Sequence, residues 1–151
     1  MDSINDEVFG EMTYDYSWEK YEVRNIFEEQ ISVRIVARAY EGQEILDIQR
    51  ESYMKYVNNE EVYMKKIPQI LLAYYIDVYD DIIEFCDMPE KYEIKNINSD
   101  SVLDLIAVNT IFFDREGNFG YLCDCGWDDE NGIAIILSED EPRIGEEDEL
   151  V

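Results

Sequence analysis

The side chains of this chain that can do chemistry are overwhelmingly carboxylates. There are 37 Asp and Glu against 12 Lys and Arg, and no histidine, in 151 residues. Without histidine the chain lacks the usual general base near neutral pH, every Ser-His or Cys-His dyad and the commonest metal ligand. Paired carboxylates can hydrolyse glycosides, but among so many acids some close pair arises by chance. The Walker phosphate loop and the dinucleotide-binding glycine pattern are both absent. Trp127 to Gly132 looks like a calcium loop at first glance. With Gly132 at the sixth position, however, Trp127 falls at the first and Ser138 at the twelfth, where an EF-hand needs Glu. An EF-hand is excluded. An irregular divalent-cation site is not, so an enzyme working through carboxylates and a divalent cation stays open as one reading.

Three cysteines, Cys86, Cys123 and Cys125, are odd in number and too few for a disulfide framework. The expectation is reduced thiols in the core, with no metal and no cofactor assigned to them. Met1 to Glu11 has neither the basic nor the apolar stretch of a secretory signal. The longest apolar run, Ile70 to Ile76, is far short of the roughly 20 residues of a membrane span. A cytoplasmic location and no membrane partner are expected.

The charge itself is the strongest pointer to a partner. A net charge of −25 exceeds the magnitude of about 2 to 8 that keeps a small domain soluble. Such a surface attracts cations over roughly 8 Å at physiological salt and repels nucleic acid and anionic lipid. The excess is uneven: residues 1–30 hold nine acids and two bases, residues 77–93 seven and one, and residues 128–149 ten and one. Residues 31–66 hold six of each. Asp128, Asp129 and Glu130 together with Glu139, Asp140 and Glu141 are the leading candidates for contact with a basic protein. Trp18, Tyr16 and Asp15 join them because Tyr and Trp anchors interleaved with acids are typical of binding surfaces.

These residues need elements to carry them. Val8–Tyr14, Trp18–Phe27 and Ile31–Ala39 alternate as strands, giving two or three antiparallel N-terminal strands. A change of period predicts a helix over Asp47–Val57, capped by Asp47, and a second from Glu60 to Phe85, kinked or started at Pro68. Asp87–Ser99 reads as loop. Ser101 fits the cap of a third, short helix over Val102–Ala107. Asn109–Phe113 and Phe119–Cys125 form a hairpin about Asp114–Asn118, and Ile133–Leu137 and Pro142–Gly145 extend it to a meander. The expected architecture is a single α+β domain over 1–151: N-terminal antiparallel strands, two or three central helices and a C-terminal antiparallel β-meander. Its tail, 146–151, is the part expected to be mobile.

The run Phe119 to Ile135, containing Cys125-Gly126-Trp127-Asp128-Asp129-Glu130-Asn131-Gly132, followed by Ile144-Gly145, resembles the C-terminal signature of an uncharacterised bacterial domain family. In that family a strand ends in a Cys-x-Trp-Asp-x-Glu-His-Gly-type turn. Asn131 stands where His is common. Ala39-Tyr40, Gln49 with Tyr53, and Tyr74-Tyr75 are similar to weaker features of the same family. Similar domains occur among the small cytoplasmic proteins of bacterial polymorphic-toxin systems. The resemblance therefore implies an immunity protein that neutralises a basic toxin, a nuclease being the natural case because its site binds phosphate. The chain's own residues support an acidic protein-binding domain that is not an enzyme. A nucleic-acid mimic that inhibits a DNA-binding protein is the alternative from another class.

Overall fold

A computed structural model describes residues 2–151 of the chain. Eight strands lie in one sheet in chain order: β1 (Ser3–Asp6), β2 (Gly10–Tyr14), β3 (Trp18–Ile26), β4 (Glu29–Ala37), β5 (Ile106–Phe113), β6 (Phe119–Cys125), β7 (Ile133–Ile136) and β8 (Arg143–Gly145). Among the described residues neighbouring strands are antiparallel except β4 and β5, which pair in parallel from Arg34↔Thr110 to Ala37↔Phe113. A parallel pair needs a long crossover. The chain supplies it with one helix, α1 (Asp47–Phe85), of 39 residues, laid on one face of the sheet.

The fold is thus α+β with one helix, and the expected two or three helices are corrected to that number. Asn58-Asn59 does not break α1, because helical propensity is a weak term beside packing. The turns on either side bury Tyr53, Tyr56, Tyr63 and Ile67 on a single stripe, while the Asn59 side chain donates to the Lys55 carbonyl. Pro68 sits inside the helix without ending it. The short helix expected over Val102–Ala107 is a 3-10 turn, Ser101–Leu105, running directly into β5. Ser101 is its first residue and not its cap, which is Asp100; Asn98 stands ahead of it, its side-chain oxygen accepting from the N–H groups of Asp100 and Ser101.

The start of α1 is set by Gln49 and not by Asp47. Leu46 is the capping residue, and its N–H donates to Gln49 Oε1 at 2.9 Å. Gln49 is fully buried, and its Nε2 donates to the carbonyls of Arg38 (2.9 Å) and Phe113 (3.2 Å). One amide therefore ties the helix to the C-terminal ends of both parallel strands.

β3 carries its charges inward. Trp18 and Ile26 point at the helix face, so by alternation Lys20, Glu22 and Arg24 do too. They are held there by a network. Glu22 meets Lys20 at 2.6 Å and Arg24 at 3.1 Å, and accepts from the Tyr53 hydroxyl at 3.0 Å. Arg24 also faces Glu60, which accepts from the Tyr56 hydroxyl at 2.5 Å; Tyr56 shares a 2.7 Å bond with Tyr121. Burial opposes the charge on Glu22, but Lys20, Arg24 and Tyr53 outweigh it and hold the carboxyl below its ordinary range. The network fixes α1 against β3 and β6.

Candidate functional site: a carboxylate basin at one end of the sheet

The signature turn between β6 and β7 is built by its own acids and glycines. Asp128 accepts from the N–H (3.2 Å) and side-chain amide (3.1 Å) of Asn131. The N–H of Asp128 donates to the Cys125 carbonyl, and that of Gly132 to the Asp128 carbonyl. Gly132 has φ +63, and a Cβ there would meet the Cys123 carbonyl oxygen at 2.5 Å, so only glycine closes the turn. Trp127 packs its ring 5.3 Å from that of Tyr75 on α1, and its carbonyl accepts a weak bond from the Cys86 thiol at 3.7 Å. The turn is thereby pinned to the C-terminal half of the helix.

The C-terminal residues close the other side. Arg143 on β8 binds Glu139 and Glu149. Glu149 in turn accepts from the Glu146 N–H at 2.8 Å, forming a 3-10 turn over Glu147–Glu149. Leu150 is buried with Val36, Phe112, Leu122, Ala134 and Ile136, the small cluster on the sheet face away from α1. This holds Glu146, Glu147 and Asp148 beside the Trp127 turn.

Between the helix, the turn and the C-terminal segment lies a cavity of about 560 Å³ lined by Tyr74, Trp127, Asp128, Glu130, Glu146, Glu147 and Asp148 among others. Tyr74 registers the convergence. Burial first, then Cys125 (once ionised at alkaline pH) and the carboxylates of Glu146, Asp128 and Asp77, push its phenol above the ordinary tyrosine value. The carboxyl of Glu147 is raised by burial and by Asp124. Among the described residues ten ion pairs engage nine carboxylates, and none of Asp77, Asp128, Glu130, Glu146, Glu147 or Asp148 is among them. The basin is an aromatic-walled concavity with uncompensated negative charge. By charge and shape such an arrangement is able to accept a guanidinium or ammonium group.

The candidates read from the sequence fall in three places. Asp128 and Glu130 line the basin, with Asp129 exposed beside them in the same turn. Glu139, Asp140 and Glu141 lie in the connection from β7 to β8, at the opposite end of the sheet by strand register. There Glu139 is taken by Arg143 and Glu141 by Lys66 at 2.9 Å. Asp15, Tyr16 and Trp18 lie at that same end in the β2–β3 turn, but four inter-strand spacings from β7, roughly 19 Å. Tyr16 is 91% exposed with φ +66. Trp18 is buried, donating its indole N–H to the Gln43 carbonyl at 2.9 Å. Tyr74, noted in the sequence only as part of the family resemblance, and Glu146 to Asp148, which lie in a charge run, line the basin without having been candidates.

No group of three or more metal-ligating side chains occurs among the described residues. Burial pushes the Cys125 thiol up to about 11 and the Cys123 thiol higher still, so both stay protonated near neutral pH. No helix among the described residues is long and apolar enough to cross a membrane.

Fold and site together define an α+β domain, one helix on a mixed sheet, presenting a carboxylate basin. Residues 8–151 match the pattern of a domain of unknown function, DUF6985, and the chain belongs to that family. No curated protein and no solved structure matches it.

Proposed function

We propose that this chain is a cytoplasmic binding protein for a basic protein partner, acting as an immunity protein that covers the functional surface of a basic toxin, with a nuclease as the leading case. The observation that carries this reading is the basin. Carboxylates of the β6–β7 turn and the C-terminal segment converge on Tyr74 and Trp127, and among the described residues none of them is in an ion pair. Clustered uncompensated charge works against the compact state, and the internal packing does not need it. A partner presenting Lys or Arg relieves that repulsion on binding. It also gains a faster encounter from the long-range field. A nuclease suits this arrangement because its phosphate-binding groove is basic, so the same residues that hold nucleic acid would hold the inhibitor.

The test is affinity capture from the lysate of the source bacterium at low salt, with mass spectrometry and a salt titration of what is retained. A single basic protein eluting steeply with salt is the expected result. Retention of bulk basic proteins alone, or of nothing, contradicts the proposal.

A further inference from the structure

The end of the sheet that carries the basin carries a second concavity. By strand register β3 ends and β4 starts there, through Phe27 and Glu28, beside the start of β5 and the end of β6. Two cavities of about 620 and 580 Å³ lie against this turn, and Phe27, Glu28, Asp100 and Leu103 line both. Together they form a groove. Met64 and Pro68 of α1 wall one side, the 3-10 turn Ser101–Leu105 the other, and Ile31 and Ile106 lie at the sheet side. The Phe27 N–H donates to Met64 Sδ at 3.4 Å, which holds the turn against the helix. Phe27, Ile31, Met64, Leu103 and Ile106 are each half-buried, so the groove offers apolar surface that the core leaves partly open.

The turn itself is an unusual choice for a hairpin. Phe27 and Glu28 have φ of +50 and +69, where two-residue hairpin turns take Asn and Gly. Backbone preference does not account for two bulky residues there. Their side chains do: Phe27 stands between the two cavities and Glu28 on their rim.

The rim selects the occupant. Glu28, Glu29, Glu61 and Asp100 are exposed around the groove, and none is in an ion pair among the described residues. Lys65 is the one cation lining either cavity among the described residues. A second copy of this chain would bring its own excess, −25 on each molecule, and nucleic acid and anionic lipid are repelled on the same ground. A neutral apolar segment would leave the carboxylates desolvated and unpaired beside it. What fits is an apolar or aromatic side chain flanked by Lys or Arg. The groove also touches the signature turn, because the Leu105 carbonyl accepts from the N–H of Gly126, the residue before Trp127, at 2.7 Å. One partner surface can span both concavities.

We propose that the groove astride Phe27 is a second anchor point for the basic partner, taking one of its apolar side chains between Phe27, Met64 and Leu103 while flanking cations pair with Glu28, Glu29 and Asp100. This rests on the reading of the chain as a binder of a basic protein, and adds a place and a side-chain chemistry that the basin does not supply.

The probes are three capped tripeptides, Lys-Phe-Lys, Lys-Gly-Lys and Glu-Phe-Glu, titrated at about 0.15 M salt into isotope-labelled chain and followed by amide chemical shifts. Lys-Phe-Lys shifts the amides of Phe27, Glu28, Met64 and Leu103 saturably and binds there at least about fivefold more tightly than Lys-Gly-Lys; Glu-Phe-Glu leaves them in place. Leu103→Asn removes the advantage of Phe over Gly. The triple substitution Glu28→Gln, Glu29→Gln, Asp100→Asn, all at exposed positions, weakens Lys-Phe-Lys at the groove by about threefold or more and keeps the test alive should the Leu103 variant fold poorly. Groove amides that respond equally to Lys-Phe-Lys and Lys-Gly-Lys, that respond to Glu-Phe-Glu, or that shift with chain concentration alone overturn the anchor, as does an affinity the triple variant leaves unchanged. If the lysine peptides move only amides of the basin, the groove falls while the basic-partner reading stands. If they move neither, both fall.

Discussion

Gln49 offers the sharpest test of how the fold holds its helix, and with it the basin that the helix borders. Gln49→Leu keeps the volume but removes three hydrogen bonds, one accepted from the Leu46 N–H and two donated to the Arg38 and Phe113 carbonyls. Each is worth about 1 kcal/mol net. The two carbonyls keep second partners, Arg115 on one and the Arg38 N–H on the other, so the expected loss is about 2–3 kcal/mol. Gln49→Glu is nearly isosteric and is expected to be worse. It turns an amide donor into an acceptor facing two carbonyl oxygens in a fully buried site. The carboxyl must be held neutral there, which at pH 7 costs about 3–4 kcal/mol from an ordinary value of about 4.3, with the loss of at least one hydrogen bond added. A buried acid whose folded-state pKa is raised destabilises at pH above its unfolded value, and the penalty fades as pH falls toward that value. Urea unfolding followed by tryptophan fluorescence at pH 7 and near pH 4.5 measures both variants. The Glu variant should be the less stable at pH 7 and should close the gap on the Leu variant in acid. A Glu variant as stable as the Leu variant at pH 7 refutes the reasoning.

Three further outcomes follow from the same structure. Asp6 is buried, yet Arg50 and the N–H groups of Phe9 and Val8 outweigh that burial and hold its carboxyl low. Its contribution is therefore present above the ordinary carboxylate value and lost as pH falls below it, and Asp6→Asn should flatten the acid limb of a stability-versus-pH curve. Phe27 and Glu28 turn β3 into β4 with φ of +50 and +69. Glu28→Gly should raise stability by up to about 1 kcal/mol in thermal unfolding, less the extra freedom of glycine in the unfolded chain. Gly120 lies where a Cβ would come within 2.1 Å of the Ile135 carbonyl oxygen, so Gly120→Ala should abolish or severely weaken cooperative unfolding.

The α+β class was legible because period-2 and period-3.6 stretches separate cleanly along the chain, and the hairpin at Asp114 was legible from its turn chemistry. Asp114 does accept from the N–H groups of Glu116 and Asn118, and Gly117 takes φ +95. The single helix was not legible, since Asn58-Asn59 and Pro68 are local signals that tertiary packing overrides. Nor was the role of Gln49 in tying the helix to the strands, since its amide donates to carbonyls 11 and 64 residues away. Inward charges on β3 break the rule that alternation separates polar from apolar faces, because Lys20, Glu22 and Arg24 pair with one another and Tyr53 and Glu60 of α1 complete the network. Trp18 and Tyr16 look alike in sequence, two aromatics among acids, and only the sheet puts one inside and the other out. Of the basin, the turn was visible as a motif. Its convergence with Tyr74 and Glu146 depends on where the helix and the C-terminal segment come to rest.

The central claim is that the basin draws and holds a basic partner, and the association rate tests it most directly. Stopped-flow mixing of the captured partner with wild-type chain and with the Glu130→Gln, Glu146→Gln, Asp148→Asn variant, across a range of ionic strength, isolates the contribution of these three exposed acids. The wild-type rate should fall by at least about tenfold between roughly 0.05 and 0.5 M salt. The variant should start lower and meet wild type at high salt. A wild-type rate indifferent to salt, or one that the variant reproduces at every ionic strength, contradicts the account.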